Sequence, residues 1–528
     1  MAVCAGRFLF KFPLELHLKD VDRLSRAQKA VRLCSVSRVM RLMPFESLEE
    51  FILALEKAHE LRRIQTKVST ELEIAEIMRR LMYDRGHHQP AVLFENIEGY
   101  SIPVLGNAFG SMRRLQIALE TEDFSEIGNR IVDLTKMKMP EGVLNKIKML
   151  PKLSEIADYG PRTVESGPVT DIIRNEKESS LNSLPILRSF SGDAGKFITF
   201  GLTVSKHPES EVRNLGVYRI QILDQKKGLM HWQIHKRGAQ HLEIFKEQKK
   251  KIEVAIVIGA DPATIFAAVA PVPEGMDKFL FAGITRKKGT KLVKCRTVNL
   301  EVPANADIVL EGFVDPDETR MEGPFGDHTG YYTPPEPYPV FNLTGIMQKR
   351  NPVYLTTVVG KPILEDAYIG KVIERSFLPL IKMFQPEVID FSMPPAGWFQ
   401  GLGIVSIKKR YPGQAKKVMM GLWGLGQLAL TKMFVVVDYD IDVQNIDDVL
   451  WALTTRADPR RDTVIIDFTP TDSLDPASPL LNLGSKLGID ATTKWKEEGY
   501  NREVQQLARV DHKTKEYVNS RWKEYGFE

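Results

Sequence analysis

The sequence predicts an α/β protein whose middle section is built mainly from strands. Helix-like and strand-like segments alternate from residue 44 to about 160, and the same alternation returns after about 350. Between about 185 and 350, short strand-like segments follow one another with turn residues between them. Alternating helices and strands are typical of α/β domains, whereas a dense series of short strands indicates a β-barrel or a sandwich.

The composition is that of an ordinary globular protein and excludes two classes of function. The chain has 528 residues, 43% hydrophobic and 27% charged, so it is long enough for several domains with large cores. No apolar run reaches membrane-spanning length, and the net charge of +4 comes without a basic run interleaved with aromatic residues. We therefore expect neither an integral membrane segment nor a nucleic-acid partner.

The cysteine pattern predicts a reducing, cytoplasmic location. Cys4, Cys34 and Cys295 form neither a CxxC pair nor a zinc-binding spacing. Cys295 lies in the alternating segment "KLVKCRTV", where we expect a packed side chain.

The first 42 residues differ from the rest of the chain. They carry nine Lys/Arg against three Asp/Glu, and charge and proline interrupt their apolar stretch "FLFKFPLEL". This pattern favours a poorly specified extension over a targeting peptide, with Met40 or Met43 as a credible natural start. The segment "SLEEFILALEKAHEL" then predicts a helix with Ser47 as N-cap and Glu50 in the capping-box position.

The remaining elements follow from turn and cap signals. "AVLFENIEGYSIPVLGN" predicts two strands joined by a turn at Glu98-Gly99. In the middle section, one predicted helix, "DPATIFAAVA", has Asp261 as N-cap and Pro262 at its first position. The strands predicted around it are "FITFGLTVSK", "LGVYRIQILD", "MHWQIH", "EVAIVIG", "KLVKCRTVNLEV" and "ADIVLEGFV".

After residue 350 the sequence again alternates between the two kinds of element. The predicted strands are "GLGIVSIKK", "KMFVVVDYD" and "DTVIIDF", and the predicted helices are "GQAKKVMMGLWGLGQLAL" and "NIDDVLWALTTR". The sequence "GLWGLG" at 421 to 426 lies in a predicted helix without a preceding strand, so it is not a dinucleotide-binding fingerprint. We also find no HExxH, P-loop or GxSxG motif.

The segment "EGPFGDHTGYY" is the densest concentration of chemical groups in the sequence. Gly323, Pro324 and Gly326 disfavour a helix and favour a tight loop, which brings Glu322 and Asp327 to one side. Two nearby carboxylates repel each other, so we expect one to hold a proton near neutral pH, as a general acid requires. The alternative is that both only cap the loop or form salt bridges.

Two further segments contain candidate binding residues. In "RNLGVYRIQ", Asn214 and Gly216 share one strand face, and Arg219 has the opposite parity. A buried arginine needs an anionic partner, for which Glu322 is the candidate; the alternative is an edge-strand arginine in solvent.

In "HWQIHKRGAQH", the strand prediction places His231, Gln233 and His235 on one face. Lys236 and Arg237, beside a glycine, are candidates for binding a phosphate, whereas a lone histidine is more often a packed residue than a metal ligand.

Taken together, these segments resemble the UbiD family of prenylated-flavin-dependent decarboxylases from about residue 44 to 490. The resemblance extends over many ordered segments, which makes it far more specific than any single motif. These segments are "FENIEGYSIPVLGN", "NLGVYR", "HWQIHKRGA", "IGADPATI", "EVPANADIVLEGFV", "EGPFGDHTGYY", "YPGQAKKVMMGLWG", "WALTTRADPRRD" and "NLGSKLGIDATTKW".

The resemblance implies a three-part architecture. An N-terminal α/β domain (43–160) precedes a split β-barrel that binds prenylated FMN (161–350) and a C-terminal α/β oligomerisation domain (351–480). Residues 1–42 are an extension and 481–528 a tail. A separate flavin prenyltransferase would supply the cofactor. We expect a homo-oligomer, from dimer to hexamer, with a hetero-oligomer as the alternative.

The resemblance also implies the reaction and its residues. The family's catalytic trio matches Arg219, Glu322 and Asp327, with Asp327 as the acid that protonates the carbon after CO₂ leaves. The expected reaction is reversible, non-oxidative (de)carboxylation of an aromatic, hydroxybenzoate-like or α,β-unsaturated acid through a covalent prenylated-flavin adduct, including carboxylation in anaerobic aromatic degradation. The implied cofactor-binding residues are Asn214, Val217, Tyr218, Arg219, His231, Trp232, Gln233, His235, Lys236, Arg237 and Lys278.

One position departs from the family pattern. The resemblance implies that Mn²⁺ or another divalent cation, together with K⁺, binds at Asn214, His235 and a glutamate. Lys278 stands where that glutamate is expected. In the first of three alternatives, Asp277 or Glu274 supplies the oxygen. In the second, the Lys278 ammonium replaces the cation and binds the phosphate directly. In the third, Lys278 points to solvent and the site is conventional.

Two other function classes stay open at this level. The first alternative is a non-catalytic or partner subunit of a multi-subunit aromatic carboxylase, and the intact trio argues against it. The second alternative is a plain FMN oxidoreductase. The segment "PILEDAYIGKVIERSFLPLI", 362 to 381, is a candidate wall of the substrate pocket.

Overall fold

Five sheets organise the part of the chain that the computed structural model describes, residues 44–83, 88–136, 156–272, 275–361, 364–503 and 507–527. Residues from Phe45 onward form one unit. The predictions for residues 1–42, for Met40 and Met43 as starts, and for Glu274 lie outside the described residues.

Strands and helices are numbered in chain order. The strands are β1 Leu61–Ile64, β2 Ala91–Phe94, β3 Val104–Gly106, β4 Arg162–Thr163, β5 Ile172–Arg174, β6 Phe197–Ile198, β7 Leu202–Lys206, β8 Arg213–Val217, β9 Ile220–Ile222, β10 Lys227–Met230, β11 Ile252–Ile258, β12 Lys291–Lys294, β13 Glu301–Pro303, β14 Ile308–Glu322, β15 Phe325–Gly326, β16 Tyr332–Thr333, β17 Glu336–Gln348, β18 Tyr354–Leu355, β19 Val388–Ser392, β20 Leu402–Ile407, β21 Met433–Asp438, β22 Thr463–Pro470 and β23 Leu483–Ala491. The α-helices are α1 Leu48–Lys57, α2 Glu73–Tyr83, α3 Met112–Leu119, α4 Ser125–Lys136, α5 Arg237–Glu247, α6 Pro262–Val269, α7 Lys278–Arg286, α8 Glu365–Phe384, α9 Gln414–Trp423, α10 Ile446–Arg456 and α11 His512–Ser520.

The N-terminal region contains a four-stranded sheet in the order β1-β2-β3-β18. Strands β2 and β3 pair antiparallel across the predicted turn, which confirms that hairpin. Helix α1 starts as predicted, because the Ser47 hydroxyl accepts a hydrogen bond from the Glu50 backbone N–H at 3.2 Å. The Glu50 carboxylate accepts from the Glu46 N–H at 2.7 Å, and not from the N–H of Ser47 that a capping box requires.

The central sheet has nine strands and confirms the predicted barrel-type middle section. Its order is β6-β9-β10-β17-β14-β11-β7-β8, with β5 paired to β17. The two longest strands, β14 and β17, pair at the centre of this sheet. Two register shifts interrupt their pairing, between Glu311 and Gly312 and between Asp315 and Thr319. Such bulges increase twist and bend a strand, so the sheet curls into the half-barrel expected of a flavin-binding domain.

The structure corrects two predictions within the middle section. Strand β10 ends at Met230, so residues 231 to 236 form a loop, and His231, Gln233 and His235 do not share a strand face. Only one helix was predicted here, whereas α5, α6 and α7 all lie between the strands. The cap of α6 is as predicted, because Asp261 accepts from the Thr264 N–H at 3.0 Å.

The segment "KLVKCRTVNLEV" forms β12 and β13, and β12 pairs with both β13 and β4 in a small separate sheet. Cys295, between β12 and β13, is buried, which confirms the packed thiol.

The C-terminal sheet has the order β19-β20-β21-β23-β22, with β20, β21 and β23 parallel. Apolar residues of α8 and α9 cover one face and those of α10 cover the other, which is typical of an α/β domain. Helix α9 ends at Trp423, earlier than predicted, and Gly424 caps it. Strand β23 pairs on both sides, so the sheet extends into the range assigned to the 481–528 tail. Among the described helices, none combines the length and apolar character needed to cross a membrane.

The bulge at Gly312 requires a residue without a side chain, and this is testable. A Cβ there would lie 2.1 Å from the Asn342 carbonyl oxygen, whereas a Cβ at Gly195 would lie 3.9 Å from its nearest neighbour, the Ile222 carbonyl. We expect Gly312→Ala to lower the free energy of unfolding by about 1–3 kcal/mol, since overpacking shifts the backbone. Urea denaturation measures this. Equal stability of Gly312→Ala and the Gly195→Ala control would contradict it.

Candidate active site

The centre of the candidate active site is a buried ion pair between Arg219 and Glu322. Arg219 lies in the short connection from β8 to β9, and Glu322 is the last residue of β14. The Arg219 Nε donates to Glu322 Oε1 at 2.7 Å and its Nη2 to Oε2 at 2.8 Å, a bidentate arrangement. Glu322 is 0% exposed, so this strand end presents its carboxylate to protein groups and not to solvent. The predicted pairing of these two residues is therefore present.

The same guanidinium reaches the second carboxylate of the loop. Arg219 Nη1 donates to Asp327 Oδ2, and its Nη2 also donates to Thr333 Oγ1 at 3.1 Å. The Phe325 ring lies under the guanidinium, with its centroid 4.7 Å from Cζ. One cation thus joins Glu322 and Asp327, and the loop after β14 wraps around it.

Contacts from the barrel hold this loop in place. Gly323 has a φ of 94°, a left-handed conformation that favours glycine, and its N–H donates to the Gln221 side chain at 2.8 Å. The Gly326 N–H donates to Asp193 Oδ1 at 2.8 Å. These anchors explain why the segment is a tight turn, as its glycines and proline predict.

The prediction that one carboxyl holds a proton near neutral pH is wrong for this arrangement. Burial raises the pKa of Glu322, but hydrogen bonds from His231 and Arg219 and their charges outweigh it and lower that pKa to about 2. Burial also raises the pKa of Asp327, while the charges of His328 and Arg219 bring it below its ordinary value. Mutual repulsion requires two carboxylates that face each other, whereas here the Arg219 cation contacts both of them.

His231 is the member of the "HWQIH" segment that joins the carboxylates. Its Nδ1 lies 3.3 Å from Glu322 Oε2, and its ring packs against that of Tyr338 at a centroid distance of 4.3 Å. Gln233 instead donates to Asp472 Oδ1 at 3.0 Å and to Ser473 Oγ at 2.6 Å, in the C-terminal domain. Because these residues lie in a loop and not in a strand, His231 and Gln233 contact different parts of the protein.

Three cations form a second group around the starts of α5 and α7. Lys236 is the N-cap of α5, Arg237 is the first residue of that helix, and Lys278 is the first residue of α7. The Lys278 Nζ donates to the Ala268 carbonyl at 2.8 Å, and Arg237 Nη2 donates to the Val272 carbonyl at 2.6 Å. Burial, together with the charges of Arg237 and Lys236, lowers the pKa of Lys278 to about 7. Lys278 is only 8% exposed, so the alternative in which it points to solvent is wrong.

Asn214 and Tyr218 connect this cation group to the carboxylates. Asn214 is buried on β8, and its side-chain amide lies 3.5 Å from the Tyr218 hydroxyl. That hydroxyl accepts from the Gly238 N–H at 3.3 Å, in the first turn of α5. Tyr218 directly precedes Arg219, so one stretch of backbone positions both groups. The neighbouring Val217 is half-buried at the end of β8.

Of the three predicted metal ligands, Asn214 and His235 are present, and the glutamate is replaced by Lys278. Burial lowers the pKa of His235, which keeps its ring in the neutral form that binds metals. In the described ranges, however, no group of three or more His, Cys, Asp or Glu side chains is placed to hold a metal ion. Asp277 is engaged elsewhere, because Arg213 Nη2 lies 2.6 Å from its Oδ2 and the Phe279 N–H donates to its Oδ1 at 2.7 Å.

The residues around α5 nevertheless fit a phosphorylated flavin. Trp232 Nε1 and His235 Nε2 are buried without a hydrogen-bond partner in the described part of the chain. Buried polar atoms of this kind indicate a missing ligand or water. The three cations donate to neutral oxygens, so a phosphate would supply the anion that they lack.

Two residues of the site were missed by sequence reasoning. His328 follows Asp327 directly, and Asp366 lies in the first turn of α8, within the segment predicted as a pocket wall. His328 Nδ1 lies 2.5 Å from Asp366 Oδ2, and His328 Nε2 lies 3.7 Å from Asp327 Oδ1. Burial lowers the pKa of His328, but the charge of Asp327 and the hydrogen bond with Asp366 raise it overall to about 9. The adjacency of Asp327 and His328 was the available signal.

Removal of the central cation is expected to reverse the pH dependence of stability. In the wild type, the contribution of Glu322 to stability is present above about pH 4.5 and is lost as the pH falls towards 2. Arg219→Met removes the cation that contacts both buried carboxylates and leaves His231 and His328 beside them. Their pKa values therefore rise, and stability falls as the pH rises above about 4.5. We expect a loss of about 3–5 kcal/mol near pH 7.

Thermal unfolding between pH 5 and 8 measures this. The control is Arg320→Met, at an exposed position of the same strand. If Arg219→Met followed the wild-type pH dependence, the bridging role of Arg219 would be refuted.

Comparison with known proteins places this arrangement in a family. Three family profiles match: the N-terminal domain of 3-octaprenyl-4-hydroxybenzoate carboxy-lyase at residues 52–131, its Rift-related domain at 162–362 and its C-terminal domain at 367–491. An uncharacterized protein of Archaeoglobus fulgidus is 49% identical over 483 residues, which cover 91% of this chain and 99% of that protein.

Two solved structures are similar over most of their length. The closed form of the vanillic acid decarboxylase of Sedimentibacter hydroxybenzoicus has a TM-score of 0.80 and 29% identity, covering 91% of this chain and 99% of its own. The UbiD-class enzyme HmfF of Pelotomaculum thermopropionicum, in complex with FMN, has a TM-score of 0.73 and 27% identity, covering 88% and 97% respectively. With profiles matching all three domains, the chain belongs to the UbiD family of carboxy-lyases.

Proposed function

We propose that this protein uses prenylated FMN to remove CO₂ reversibly from an aromatic, hydroxybenzoate-like acid, with α,β-unsaturated acids as the second substrate class. The observation that carries the proposal is the buried Arg219 guanidinium, which holds Glu322 and Asp327 together in the loop after β14. The similarity to a vanillic acid decarboxylase supports an aromatic substrate. The proposed reaction also includes the reverse direction, in which the enzyme carboxylates an aromatic compound during anaerobic aromatic degradation.

The cofactor would be held by the cation group and its neighbours. Lys236, Arg237 and Lys278 would bind the phosphate, while Trp232 and His235 have buried nitrogen atoms free to donate or accept. Prenylated FMN would accept the electrons that the departing CO₂ leaves behind, a step for which amino-acid side chains have no suitable acceptor. A separate flavin prenyltransferase would supply it.

The residues of the chain would then position the substrate and move the proton. All of the Arg219 nitrogen atoms already donate to Glu322, Asp327 or Thr333, so Arg219 fixes the geometry of both carboxylates. An anionic substrate beside Asp327 adds negative charge and raises the pKa of that carboxyl, which favours its protonated form. Asp327 would then donate its proton to the carbon that has lost CO₂.

The C-terminal domain is the proposed site of homo-oligomerisation, from dimer to hexamer. Its edge strand β22 leaves Ile465 and Phe468 exposed, at 67% and 80% of their surface, and Leu480 and Leu481 are also exposed nearby in the chain. An edge strand with apolar side chains is prone to pair with another chain. The domain limits at 160 and 350 are also proposed, on the basis of the resemblance to the family's three-part architecture.

The first experiment tests cofactor and activity together. We would produce the full chain anaerobically with a flavin prenyltransferase, identify the released flavin by mass spectrometry, and measure CO₂ release from vanillate, 4-hydroxybenzoate and cinnamate. We expect prenylated FMN and activity on at least one acid. Asp327→Asn should lower kcat by about 10²–10⁴-fold, since it removes the proton donor.

The control for this variant is Asp315→Asn, on the outer part of β14 beside Lys251. Plain FMN, or no flavin, from protein supplied with the prenylated form would contradict the proposal and favour the non-catalytic subunit. Flavin-dependent hydride transfer without CO₂ release would favour the plain FMN oxidoreductase.

Lys278 is proposed to replace the divalent cation in holding the phosphate. Two positive charges at one place repel, so a buried ammonium at this position lowers metal occupancy. We expect the wild type to keep its flavin in EDTA and to contain little Mn²⁺. Lys278→Glu should bind more metal and lose its flavin in EDTA.

Elemental analysis and flavin absorbance after dialysis check both expectations. Lys246→Glu, at an exposed position of α5, is the control. Unchanged metal content and unchanged flavin retention in Lys278→Glu would contradict the replacement of the cation by Lys278.

A further inference from the structure

His328 lies between two carboxylates that come from different parts of the fold. Its Nδ1 is 2.5 Å from Asp366 Oδ2, at the start of α8, and its Nε2 is 3.7 Å from Asp327 Oδ1, in the loop after β14. The His328 backbone N–H also donates to Asp327 Oδ1 at 2.7 Å. The imidazole therefore bridges the candidate acid and a second carboxylate that has no contact with Arg219 among the described residues.

The surroundings favour the protonated ring. The His328 side chain is 24% exposed and that of Asp366 is 11% exposed, so both are largely shielded from solvent. The Phe399 ring packs edge-on against the imidazole at 5.4 Å and 87°. The charges that act on the ring are Asp327 in its own loop, Asp366 in α8 and Asp472 in the C-terminal domain.

Asp327 needs such a neighbour because its own environment keeps it ionised. Arg219 donates to one of its oxygens and His328 lies beside the other. Arg219 cannot supply the proton that decarboxylation consumes, since a guanidinium stays protonated in proteins. Glu322 is also ionised and faces Arg219 and His231. The proton must therefore reach Asp327 from another side.

We propose that His328, oriented by Asp366, is the positioning residue that delivers a proton to Asp327 in each turnover. This inference rests on the proposed function and adds a proton route to it. A separation of 3.7 Å exceeds a hydrogen bond, so delivery needs a small approach of the ring or one bridging water.

The proton balance of this step is complete. Loss of CO₂ leaves the electron pair of the broken C–C bond, and the Asp327 O–H proton forms the new C–H bond. The His328 Nε2–H bond then breaks and a new O–H bond forms on Asp327, which leaves a neutral imidazole. The ring regains its proton from water through its exposed edge, so one solvent proton is consumed for each CO₂ released.

A purely structural ion pair is the competing explanation. In that case His328 and Asp366 only fasten the loop to α8, and their removal affects stability and substrate affinity. A proton-delivery role predicts a different signature, because it changes kcat and its pH dependence while KM stays nearly constant.

The test uses the full chain loaded with prenylated FMN and the acid that the wild type decarboxylates fastest among vanillate, 4-hydroxybenzoate and cinnamate. His328→Asn should lower kcat by about 10–100-fold with KM within about threefold. His512→Asn, on the exposed face of α11, is the matched control. Imidazole added to the buffer should restore part of kcat to His328→Ala, which has room for it.

Asp366→Asn provides a second variant that keeps the shape of the site. Loss of its charge lowers the pKa of His328, so the ring loses its proton at lower pH. We expect the alkaline limb of the kcat–pH profile to move down by about one pH unit or more, because an adjacent opposite charge shifts a pKa by about 1–3 units. Asp447→Asn, at the equivalent first turn of α10, is the control.

The outcomes separate this inference from the proposed function. An active wild type whose kcat and pH profile are unchanged in both His328→Asn and Asp366→Asn overturns only the proton-delivery role. A rise in KM alone also overturns it, in favour of the structural pair. A wild type that holds prenylated FMN and releases CO₂ from no acid of the panel overturns the proposed function, and this inference with it.

Discussion

The rest of the site depends on the charge of one buried guanidinium. Arg219 is nearly excluded from solvent, and a cation there is tolerated only because carboxylates neutralise it. That requirement brings together two stretches that are far apart in the chain, the β8–β9 connection and the end of β14 with the loop that follows it. The loop's glycines and proline permit the turn, and Arg219 determines which way its carboxylates face. The site therefore combines a local backbone property with a long-range electrostatic one.

The barrel and the C-terminal domain both contribute to this region. The hairpin of β14 and β17 carries Glu322, and the barrel residues Gln221 and Asp193 anchor the loop. From the other side, Asp366 of α8 contacts His328, and Asp472 contacts Gln233. Contacts with two parts of the fold hold these charged groups more rigidly than a free loop could, which suits the proposed catalytic role.

A short backbone segment links the carboxylate group around Arg219 to the cation group at the starts of α5 and α7. Carboxylates surround Arg219, whereas cations gather where α5 and α7 begin, and the adjacent Tyr218 links them through its hydrogen bond to Gly238. A ligand with a phosphate at one end and a reactive ring at the other suits such an arrangement. Lys278 adds a third basic side chain to the cationic end, at the position where the family pattern expects a carboxylate that holds a metal.

The sequence alone determined the order of elements, the caps at Ser47 and Asp261, and the pairing of Arg219 with Glu322. These follow from local periodicity, from residue types that fit one backbone geometry, and from motifs shared with the family. Only the tertiary structure decided the protonation of the carboxylates and the contact of His328 with Asp366, 38 residues away in the chain. The physical reason is that a pKa and a long-range hydrogen bond depend on which distant charges the fold brings near, and adjacent residues do not encode that distance.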